Sequence, residues 1–283
     1  MPMILVADSG STKTEWYIVS NDIERNFKTA GLNPYFISSE YAEIQINSHF
    51  PRDISKNDIT DIFFYGAGCS SPQRNSILEV ALTKIFSLSR VSIETDLLGA
   101  ARSMFQNEEG IVAILGTGSN SGFYKKSEIQ NSLPSLGYIL GDYGSGANIG
   151  KQLISKYLNK EFNKNISRNF EKKYNLSQNQ ILESIYKKPF ANRFLASFTY
   201  FIKENIEEPP FYDLVYESFM SFFKKNICKY PNYLEANLRF TGSIAYIFKE
   251  ILMEISDKFN ISIDKIEKNP IKGLINFHLV NRK

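Results

Sequence analysis

Short apolar runs separated by glycine-rich turns mark the first hundred residues of the chain. Met3–Ala7 and Glu15–Val19 lie on either side of a Gly/Ser/Thr turn, and this pattern predicts a β-hairpin. Further strands are predicted at Ile62–Tyr65 and Val91–Glu94, with helices at Ser39–Phe50, Pro72–Phe86 and Leu97–Met104. The alternation of strands and helices predicts an α/β fold.

A second set of the same elements starts at Ile111–Leu115, which is followed by the turn Gly116–Ser121 and another strand. After the glycine-rich stretch Gly137–Gly146, apolar residues recur every three to four positions, which predicts a helical insertion that includes helices at Ala191–Ile202 and Tyr212–Ile227. The remaining predicted elements are a strand at Leu238–Phe240, a helix at Ile244–Phe259, a strand at Ile261–Ile266 and a helix from about Ile271. The doubling predicts two lobes with similar sheets.

The length of 283 residues suits two domains of roughly 100–150 residues each. We assign residues 1–109 to the first domain, which the C-terminal helix 269–283 can complete, and residues 110–268 to the second. The hydrophobic fraction of 43% and the charged fraction of 22% are typical of a soluble globular protein. A net charge of +3 is small for this size, so no nucleic acid or membrane partner is predicted.

The cysteines and the longest apolar runs bear on the cellular compartment. Cys69 and Cys228 are far apart in sequence and form no Cys-x-x-Cys pair, which disfavours a zinc site or a disulfide framework. The first apolar run has no basic region before it, and no stretch approaches the ~20 apolar residues of a membrane span. We therefore expect a cytoplasmic protein.

The turn Asp8–Thr14 is the first segment whose residue types indicate chemistry. Glycine lets the backbone approach an anion closely, and successive N–H groups can bind phosphate oxygens. A neighbouring carboxylate such as Asp8 can hold Mg²⁺ through water. The turn is not a P-loop, because it lacks the Gly-x-x-x-x-Gly-Lys-[Ser/Thr] spacing and the helix that follows. An ordinary hairpin turn is the alternative interpretation.

Two later turns have a similar composition: Gly116–Asn120 between strands, and Thr241–Ser243 at the start of a helix. Each can bind phosphate or ribose at a backbone turn, and each can equally be a tight connection. Asp96 follows a predicted strand at its carboxyl end, where open α/β sheets bind ligands, although Asp is also a favoured helix N-cap. Asp142 lies in a Gly-rich turn, where it can bind a ligand or form local hydrogen bonds.

Taken in order, these motifs resemble those of the superfamily that contains actin, sugar kinases and heat-shock chaperone ATPases. Over almost its whole length the chain is most similar to the group of N-acetylglucosamine kinases and benzoyl-CoA-reductase-activator ATPases. Asp8–Thr14 matches the first phosphate motif, Gly116–Ser121 the second and Thr241–Ala245 the adenosine motif. The resemblance implies a two-lobed, ribonuclease H-like α/β fold with duplicated mixed sheets and a helical insertion in the second lobe.

The resemblance also implies roles for individual residues, with the lobes closing over ATP and a sugar. Asp96 is the expected base for the 6-hydroxyl of the sugar, and Asp8 the expected Mg²⁺ ligand. The residues expected at ATP and its phosphates are Asp8, Gly10, Ser11, Thr12, Lys13, Thr117, Gly118, Gly242 and Ser243. Those expected at the sugar are Asn33, Gly118, Asn120 and Asp142.

N-acetylglucosamine is the acceptor that the resemblance favours, with N-acetylmuramate or glucosamine as alternatives. The first phosphate turn departs from the Gly-Gly-Gly-Thr pattern of the eukaryotic enzymes, since this chain has Ser9-Gly10-Ser11-Thr12. A different kind of function is an ATPase activator of a radical dehydratase or reductase. Such activators hold an iron–sulfur cluster with closely placed cysteines from two subunits, a pattern that Cys69 and Cys228 do not fit. Because related sugar kinases are often dimers, a homodimer is the expected assembly.

Overall fold

A computed structural model describes residues 3–20 and 23–281 of the chain, which folds as two units. The first unit comprises Met1–Glu109, Tyr124–Gln130 and Asn269–Lys283, and the second comprises Gly110–Phe123 and Asn131–Lys268. Tyr124–Gln130 thus groups with the first unit, whereas the sequence assigns it to the second domain. None of the helices in the described ranges combines the length and hydrophobicity needed to cross a bilayer.

The first unit is built on a five-stranded sheet with helices. Its elements up to residue 109 are β1 (Met3–Ser9), β2 (Lys13–Val19), β3 (Glu24–Ala30), α1 (Ser39–His49), β4 (Ile59–Gly66), α2 (Pro72–Ile85), β5 (Arg90–Thr95) and α3 (Asp96–Phe105). The strand order is β3-β2-β1-β4-β5. Strand β1 pairs antiparallel with β2 and parallel with β4, and β4 pairs parallel with β5, so the sheet is mixed.

A second five-stranded sheet has the order β10-β9-β6-β7-β8, in which β6, β9 and β10 are parallel neighbours. The elements that follow α3 are β6 (Gly110–Leu115), β7 (Ser119–Lys125), β8 (Glu128–Ser132), α4 (Gly137–Leu140), α5 (Gly146–Leu158), α6 (Lys164–Tyr174), α7 (Gln178–Tyr186), α8 (Ala191–Ser197), α9 (Thr199–Glu204), α10 (Pro209–Lys225), β9 (Leu238–Thr241), α11 (Ser243–Ile247), α12 (Lys249–Lys258) and β10 (Ile263–Glu267). The two sheets repeat one strand order, and helices intervene between β8 and β9. The predicted fold class is confirmed.

Burial explains which strands the hydrophobic pattern reveals. Met3–Ala7 in β1 is buried throughout, as expected for a central strand that is covered on both faces, and its sequence is a continuous apolar run. The edge strands β3 and β8 carry mostly exposed polar side chains and are not predicted. In β3 only Phe27 and Thr29 are buried, and Phe27 stacks on Trp16 with ring centroids 5.5 Å apart.

Two predicted helices are each interrupted at a buried phenylalanine. The segment predicted as one helix at Ala191–Ile202 forms α8 and α9, which meet at Phe198. The helix predicted at Ile244–Phe259 is divided at Phe248, whose backbone leaves the helical conformation. Both rings are buried in the core of the second unit, which outweighs continuous helical hydrogen bonding at these positions.

The last helix, α13 (Ile271–Val280), packs closely on α3 in the first unit. A Cβ atom on Gly273 would overlap Ser103 Oγ and lie 2.5 Å from Ser103 O. Ser103 Oγ donates a hydrogen bond to Pro270 O at 2.6 Å, and Gln106 Nε2 donates to Gly273 O at 2.9 Å. The side chains of α3 therefore hold the start of α13 at a distance that only glycine permits.

His278 on α13 has a structural environment in the first unit. Its ring stacks on Phe63, and its Nε2 lies 2.8 Å from the hydroxyl of Tyr65. The same hydroxyl accepts a hydrogen bond from Arg102 on α3. Burial and the charge of Arg102 lower the pKa of His278 to about 4, so the imidazole is neutral at physiological pH.

Replacing Gly273 with alanine tests the packing of α13 on α3. Because the new methyl group would clash with Ser103, we expect Gly273→Ala to lower the free energy of unfolding by about 1–3 kcal/mol. Lys272→Ala is the matched control, since Lys272 is exposed on the same helix. The measurement is chemical denaturation, and equal stabilities for the two variants would contradict the close packing.

Candidate active site

The carboxyl ends of β1, β4 and β5 lie at the same edge of the first sheet. Ser9 pairs with Gly66 across β1 and β4, and Gly66 pairs with Thr95 across β4 and β5. Asp8 precedes this level by one residue and Asp96 follows it by one residue. The register thus brings three features to one edge of the sheet: the first phosphate turn, the turn that begins at Gly66, and the predicted base Asp96. This is the arrangement expected for a ligand site in an α/β sheet.

Hydrogen bonds and close backbone contacts brace the first phosphate turn. Gly10 N donates to Lys13 O at 3.0 Å, and Gly31 N donates to Thr12 O at 3.0 Å. A Cβ atom on Gly31 would lie 2.5 Å from Gly10 O and 2.6 Å from Ser11 O. Gly31 therefore permits the approach of a second backbone segment, which fixes the shape of the turn.

Lys13 forms an ion pair that the sequence does not reveal. Its Nζ lies 2.6 Å from Glu15 Oε1, and Lys28 Nζ lies 3.4 Å from the same oxygen. Asn269 also donates a hydrogen bond to Glu15. Burial acts to raise the pKa of the Glu15 carboxyl, but the hydrogen bond and charge of Lys13 lower it overall. The positive charge of Lys13, which we predict to bind phosphate, is therefore shared with the Glu15 carboxylate.

Asp8 lies in a crowded anionic environment. Burial, then the charges of Asp96 and Glu15, raise the pKa of Asp8 from an ordinary 3.8 to about 7, while Lys13 opposes the shift. Perturbed carboxylates of this kind cluster at functional sites. Because a cation would relieve the repulsion between the carboxylates, the side chain suits a metal bound together with phosphates.

Asp96 opens α3 but is not its N-cap. The N-cap is Thr95, whose side chain accepts a hydrogen bond from Leu98 N at 3.1 Å. Asp96 occupies the first helical position, and its Oδ1 accepts from Leu97 N at 2.8 Å. The alternative in which Asp96 acts as the N-cap is therefore wrong, since a threonine already satisfies the helix end.

Asn33 lies against the turn that follows β4. The side chain is buried, and its Oδ1 accepts a hydrogen bond from Tyr35 N at 2.9 Å. Gly68 has a φ of 86°, and a Cβ atom there would overlap Asn33 Oδ1. Ala67 N donates to Ser9 O at 2.9 Å, which links the same turn to the first phosphate turn. Asn33 Nδ2 has no hydrogen-bond acceptor within the described ranges.

In the second unit, backbone hydrogen bonds from the start of α5 hold the phosphate turn in place. Gly146 N donates to Gly116 O at 2.8 Å, and Ala147 N donates to Thr117 O at 3.1 Å. Asn120 lies at the start of β7, and its Oδ1 accepts from Ser121 N at 2.9 Å. Two helical residues thus bond directly to the carbonyl groups of the turn, which leaves it little freedom.

Asp142 contacts this second turn and does not only bond locally. Its carboxylate accepts a hydrogen bond from the backbone of Ser119, and a Cβ atom on Gly118 would lie 3.0 Å from its Oδ2. Asp142 has a φ of 51°, in the left-handed region, where Asp is tolerated. Burial raises the pKa of the carboxyl, although the Ser119 bond and Lys151 oppose the shift. Asp142 and Gly118 are therefore in contact, and Asn120 follows Gly118 by two residues.

The predicted adenosine turn requires glycine at its centre. Gly242 has a φ of 118°, and a Cβ atom there would overlap Leu115 O at the end of β6. Gly242 N donates to Glu267 O at 3.0 Å, and the exposed Ser243 begins α11. The turn between β9 and α11 is consequently packed against β6, directly before the second phosphate turn.

The donor groups suit a metal that arrives with its ligand. Within residues 3–20 and 23–281, no three His, Cys, Asp or Glu side chains are grouped so as to hold a metal ion. Mg²⁺ commonly binds through one or two carboxylates, several waters and substrate phosphates, so Asp8 beside a phosphate turn fits this ion.

Neither cysteine side chain is a ready ligand for an iron–sulfur cluster. Burial and the charge of Asp96 raise the pKa of Cys69 to about 12, and burial also raises that of Cys228. Cys69 is itself buried in the core of the first unit. Because a cluster shared between two subunits needs ligands at a surface, the buried Cys69 does not suit the alternative activator function.

Four residues near the site are missed by the sequence analysis. Glu15 forms an ion pair with Lys13, and Thr95 caps helix α3. The preference of threonine for N-cap positions could have revealed the role of Thr95. Tyr35 and Arg74 stack on each other beside Asn33, a contact for which the sequence offers no signal.

The raised pKa of Asp8 predicts a pH-dependent gain in stability for Asp8→Asn. The folded carboxyl resists ionisation until about pH 7, whereas the unfolded one ionises near 3.8, so wild-type stability falls between these values as pH rises. We expect Asp8→Asn to raise Tm by about 2–6 °C at pH 8 and by clearly less at pH 4.5. Asp58→Asn, at an exposed carboxylate, is the control. Thermal denaturation that shows the same gain at both pH values would contradict the crowding of Asp8.

Comparison with solved structures identifies proteins of the same fold. A Porphyromonas gingivalis protein, provisionally named an N-acetylglucosamine kinase, is 37% identical with a TM-score of 0.94, over 99% of this chain and 100% of that chain. A Chromobacterium violaceum protein of the same provisional name is 13% identical with a TM-score of 0.70, over 98% and 99% of the two chains. A ROK family glucokinase from Streptomyces griseus, in complex with glucose and AMPPNP, is 10% identical with a TM-score of 0.57, over 99% of both.

The latter two identities are low enough that these proteins share the fold alone. A search of protein-family models finds no match to the chain, and neither does a search of curated proteins. The first similarity is different in kind, because more than a third of the residues are identical over nearly the whole of both chains. This chain therefore belongs to the sugar-kinase family of the Porphyromonas gingivalis protein, and it has the actin-like ATPase fold.

Proposed function

We propose that this sugar kinase transfers the γ-phosphoryl group of ATP to the 6-hydroxyl of N-acetylglucosamine. The observation that carries the proposal is the meeting of Asp8, Asp96 and Asn33 with the first phosphate turn at one sheet edge. The choice of sugar is supported by the similarity to the Porphyromonas gingivalis protein. Phosphoryl transfer depends chiefly on positioning and charge stabilisation, which a rigid turn and a nearby carboxylate can provide.

In the proposed reaction, Asp96 is the general base. The O6–H bond of the sugar breaks and its proton passes to the Asp96 carboxylate, while O6 bonds to the γ-phosphorus and the bond from phosphorus to the ADP oxygen breaks. The hydrogen bond from Leu97 N to Asp96 Oδ1 orients the carboxylate. Because Thr95 caps the helix, the Asp96 carboxylate is not required for that task.

We assign the nucleotide contacts to rigid backbone turns. In the first unit these are the N–H groups of Gly10, Ser11, Thr12 and Lys13, with the Lys13 side chain shared with Glu15. In the second unit they are Thr117 and Gly118 for phosphate, and Gly242 and Ser243 for the adenosine. Asp8 would hold Mg²⁺, which neutralises charge on the phosphates when bound. As ATP is a cytoplasmic metabolite, we place the reaction in the cytoplasm.

The sugar contacts that we assign involve groups with fixed positions. In the first unit, the Asn33 side chain is held through Oδ1, so its Nδ2 can donate to a sugar hydroxyl. In the second unit, we assign Asn120, Asp142 and the backbone of Gly118, which together offer both donors and acceptors; Asp142 contacts Gly118, and Asn120 follows Gly118 by two residues. Polar groups of this type suit the hydroxyl and acetamido substituents of a sugar.

ADP release against a panel of sugars tests the proposed acceptor. We expect turnover with N-acetylglucosamine, with a kcat/KM at least ~10-fold above that for glucose. Glucose lacks the acetamido group, so it would leave polar groups of the sugar site without hydrogen-bond partners. A reaction without sugar measures the ATPase background. ADP release that is independent of any added sugar would contradict the proposed kinase activity.

Asp96→Asn tests the base. The amide keeps the shape of the side chain but lacks the basic oxygen, so we expect kcat to fall by at least ~100-fold without a loss of Tm. Thr95→Ala is the matched control, because it removes the helix cap and should cost about 1 kcal/mol of stability with a much smaller loss of kcat. A near-normal kcat in Asp96→Asn would remove Asp96 from the chemistry.

A further inference from the structure

The loop that carries Asp142 lies against helix α10 within the second unit. Gly144 has a φ of 76°, and a Cβ atom there would lie 3.0 Å from Phe222 Cβ. Lys225 belongs to the last turn of the same helix, and its Nζ is 3.9 Å from the ring centroid of Tyr143. The two residues that follow Asp142 therefore both contact α10, at a separation that requires glycine at position 144.

Ser218 on α10 supplies a buried hydroxyl group to this contact. The side chain is 1% exposed, and its Oγ accepts a hydrogen bond from Gly144 N at 3.1 Å. The same hydroxyl donates to Asn148 Oδ1 at 2.6 Å, and Gln152 Nε2 donates to that oxygen at 3.1 Å. Asn148 is also buried, in the first turn of α5. A buried chain of hydrogen bonds thus joins the loop, α10 and α5.

The surroundings of Ser218 are otherwise apolar. Its neighbours along α10 include Val215, Phe219 and Phe222, which are fully buried in the core of the second unit. A hydroxyl group in such a core is unfavourable unless it is hydrogen-bonded, and the buried Gly144 N–H group has the same requirement. Ser218 satisfies both requirements, and it does so two residues from the carboxylate that we assign to the sugar.

The backbone of Asp142 depends on this anchor. Its φ of 51° is sparsely populated by residues other than glycine, so the surrounding structure has to hold it. Ser145 N donates to Asp142 O at 3.1 Å, and Ser145 Oγ accepts from Asn148 N at 3.1 Å as the N-cap of α5. Gly144, to which Ser218 bonds, lies between Asp142 and Ser145. A shift of Gly144 would therefore move the Asp142 carboxylate relative to the second phosphate turn.

We propose that Ser218 is a positioning residue, which holds Asp142 through Gly144 in the conformation that binds the sugar. Because its side chain is buried, Ser218 acts through the loop and not by touching the substrate. Groups that orient a substrate have to be held within a fraction of an ångström by the residues behind them, so loss of the anchor weakens sugar binding. This inference rests on the proposed function, which assigns Asp142 to the sugar.

Ser218→Ala tests the anchor, and Ser256→Ala is the matched control. Ser256 is a buried serine of α12 whose Oγ donates to Met253 O, so the control removes a hydroxyl that bonds within its own helix. We expect Ser218→Ala to raise the KM for N-acetylglucosamine by about 5–50-fold, because a buried N–H group loses its acceptor and the loop shifts.

The KM for ATP separates positioning from a general loss of structure. It should change by less than ~2-fold in Ser218→Ala, since main-chain hydrogen bonds from α5 hold the second phosphate turn. Ser256→Ala should keep both KM values at the wild-type level. Equal increases in the two KM values of Ser218→Ala, or no increase in either, would overturn the proposal.

A double-mutant cycle with Asp142→Asn shows whether Ser218 acts through Asp142. If it does, Ser218→Ala should lower the kcat/KM for N-acetylglucosamine by less than ~2-fold in the Asp142→Asn background, because contacting residues are not additive. The same loss in both backgrounds would overturn the proposal, since Ser218 would then support the site by another route.

Hydrogen exchange of the ligand-free protein separates this inference from the proposed function. We expect the amides of residues 143–146 to exchange at least ~10-fold faster in Ser218→Ala than in wild type or Ser256→Ala. Unchanged exchange would overturn the inference even in an enzyme that phosphorylates N-acetylglucosamine. Faster exchange in a protein that phosphorylates no sugar would retain the anchor of the loop and contradict the kinase activity.

Discussion

The parallel register of β1, β4 and β5 is the constraint on which the candidate site of the first unit depends. Ser9, Gly66 and Thr95 lie at one level across the three strands, so the turns that follow them begin side by side. A slip of one residue in β1 would turn its side chains to the opposite face of the sheet and move Asp8 away from Asp96. The buried apolar residues of β1 oppose such a slip, because each side chain would have to move to the opposite face of the sheet and pack against different neighbours.

This register brings like charges together. Asp8 is partly buried near Asp96 and Glu15, and Lys13 offsets only part of the repulsion. Residues that oppose folding in this way are expected at functional sites, where a bound ligand supplies the missing interaction. The closely packed glycines and backbone hydrogen bonds around Gly31 hold the turn in place while the charges repel. The scaffold of the first unit therefore stabilises a site that is unfavourable by itself.

Hydrophobic pattern and turn composition were sufficient to predict α/β elements in two similar lobes, since the central strands are apolar runs followed by glycine turns, whereas the actin-like fold itself was implied by the family resemblance. The pattern was insufficient where tertiary packing decides. The polar edge strands β3 and β8 are held by pairing with their neighbours, and the helix interruptions at Phe198 and Phe248 serve burial of one ring each. Side-chain pairings such as Lys13 with Glu15 depend on three-dimensional position, so the site was predicted as a set of turns without the contacts that tune them.

The position of α13 in the sequence determines the order in which the two units are completed during synthesis. The first unit uses residues from both ends of the sequence, because α13 packs on α3 from a chain distance of more than 160 residues. During synthesis on the ribosome, residues 110–268 are therefore complete before the first unit has all of its parts. Until then, the apolar surface that α13 covers around Ile4, Val6 and Tyr65 stays open to water or to a chaperone. The turns of α13, which leave the ribosome after residues 110–268, thus complete this part of the core of the first unit.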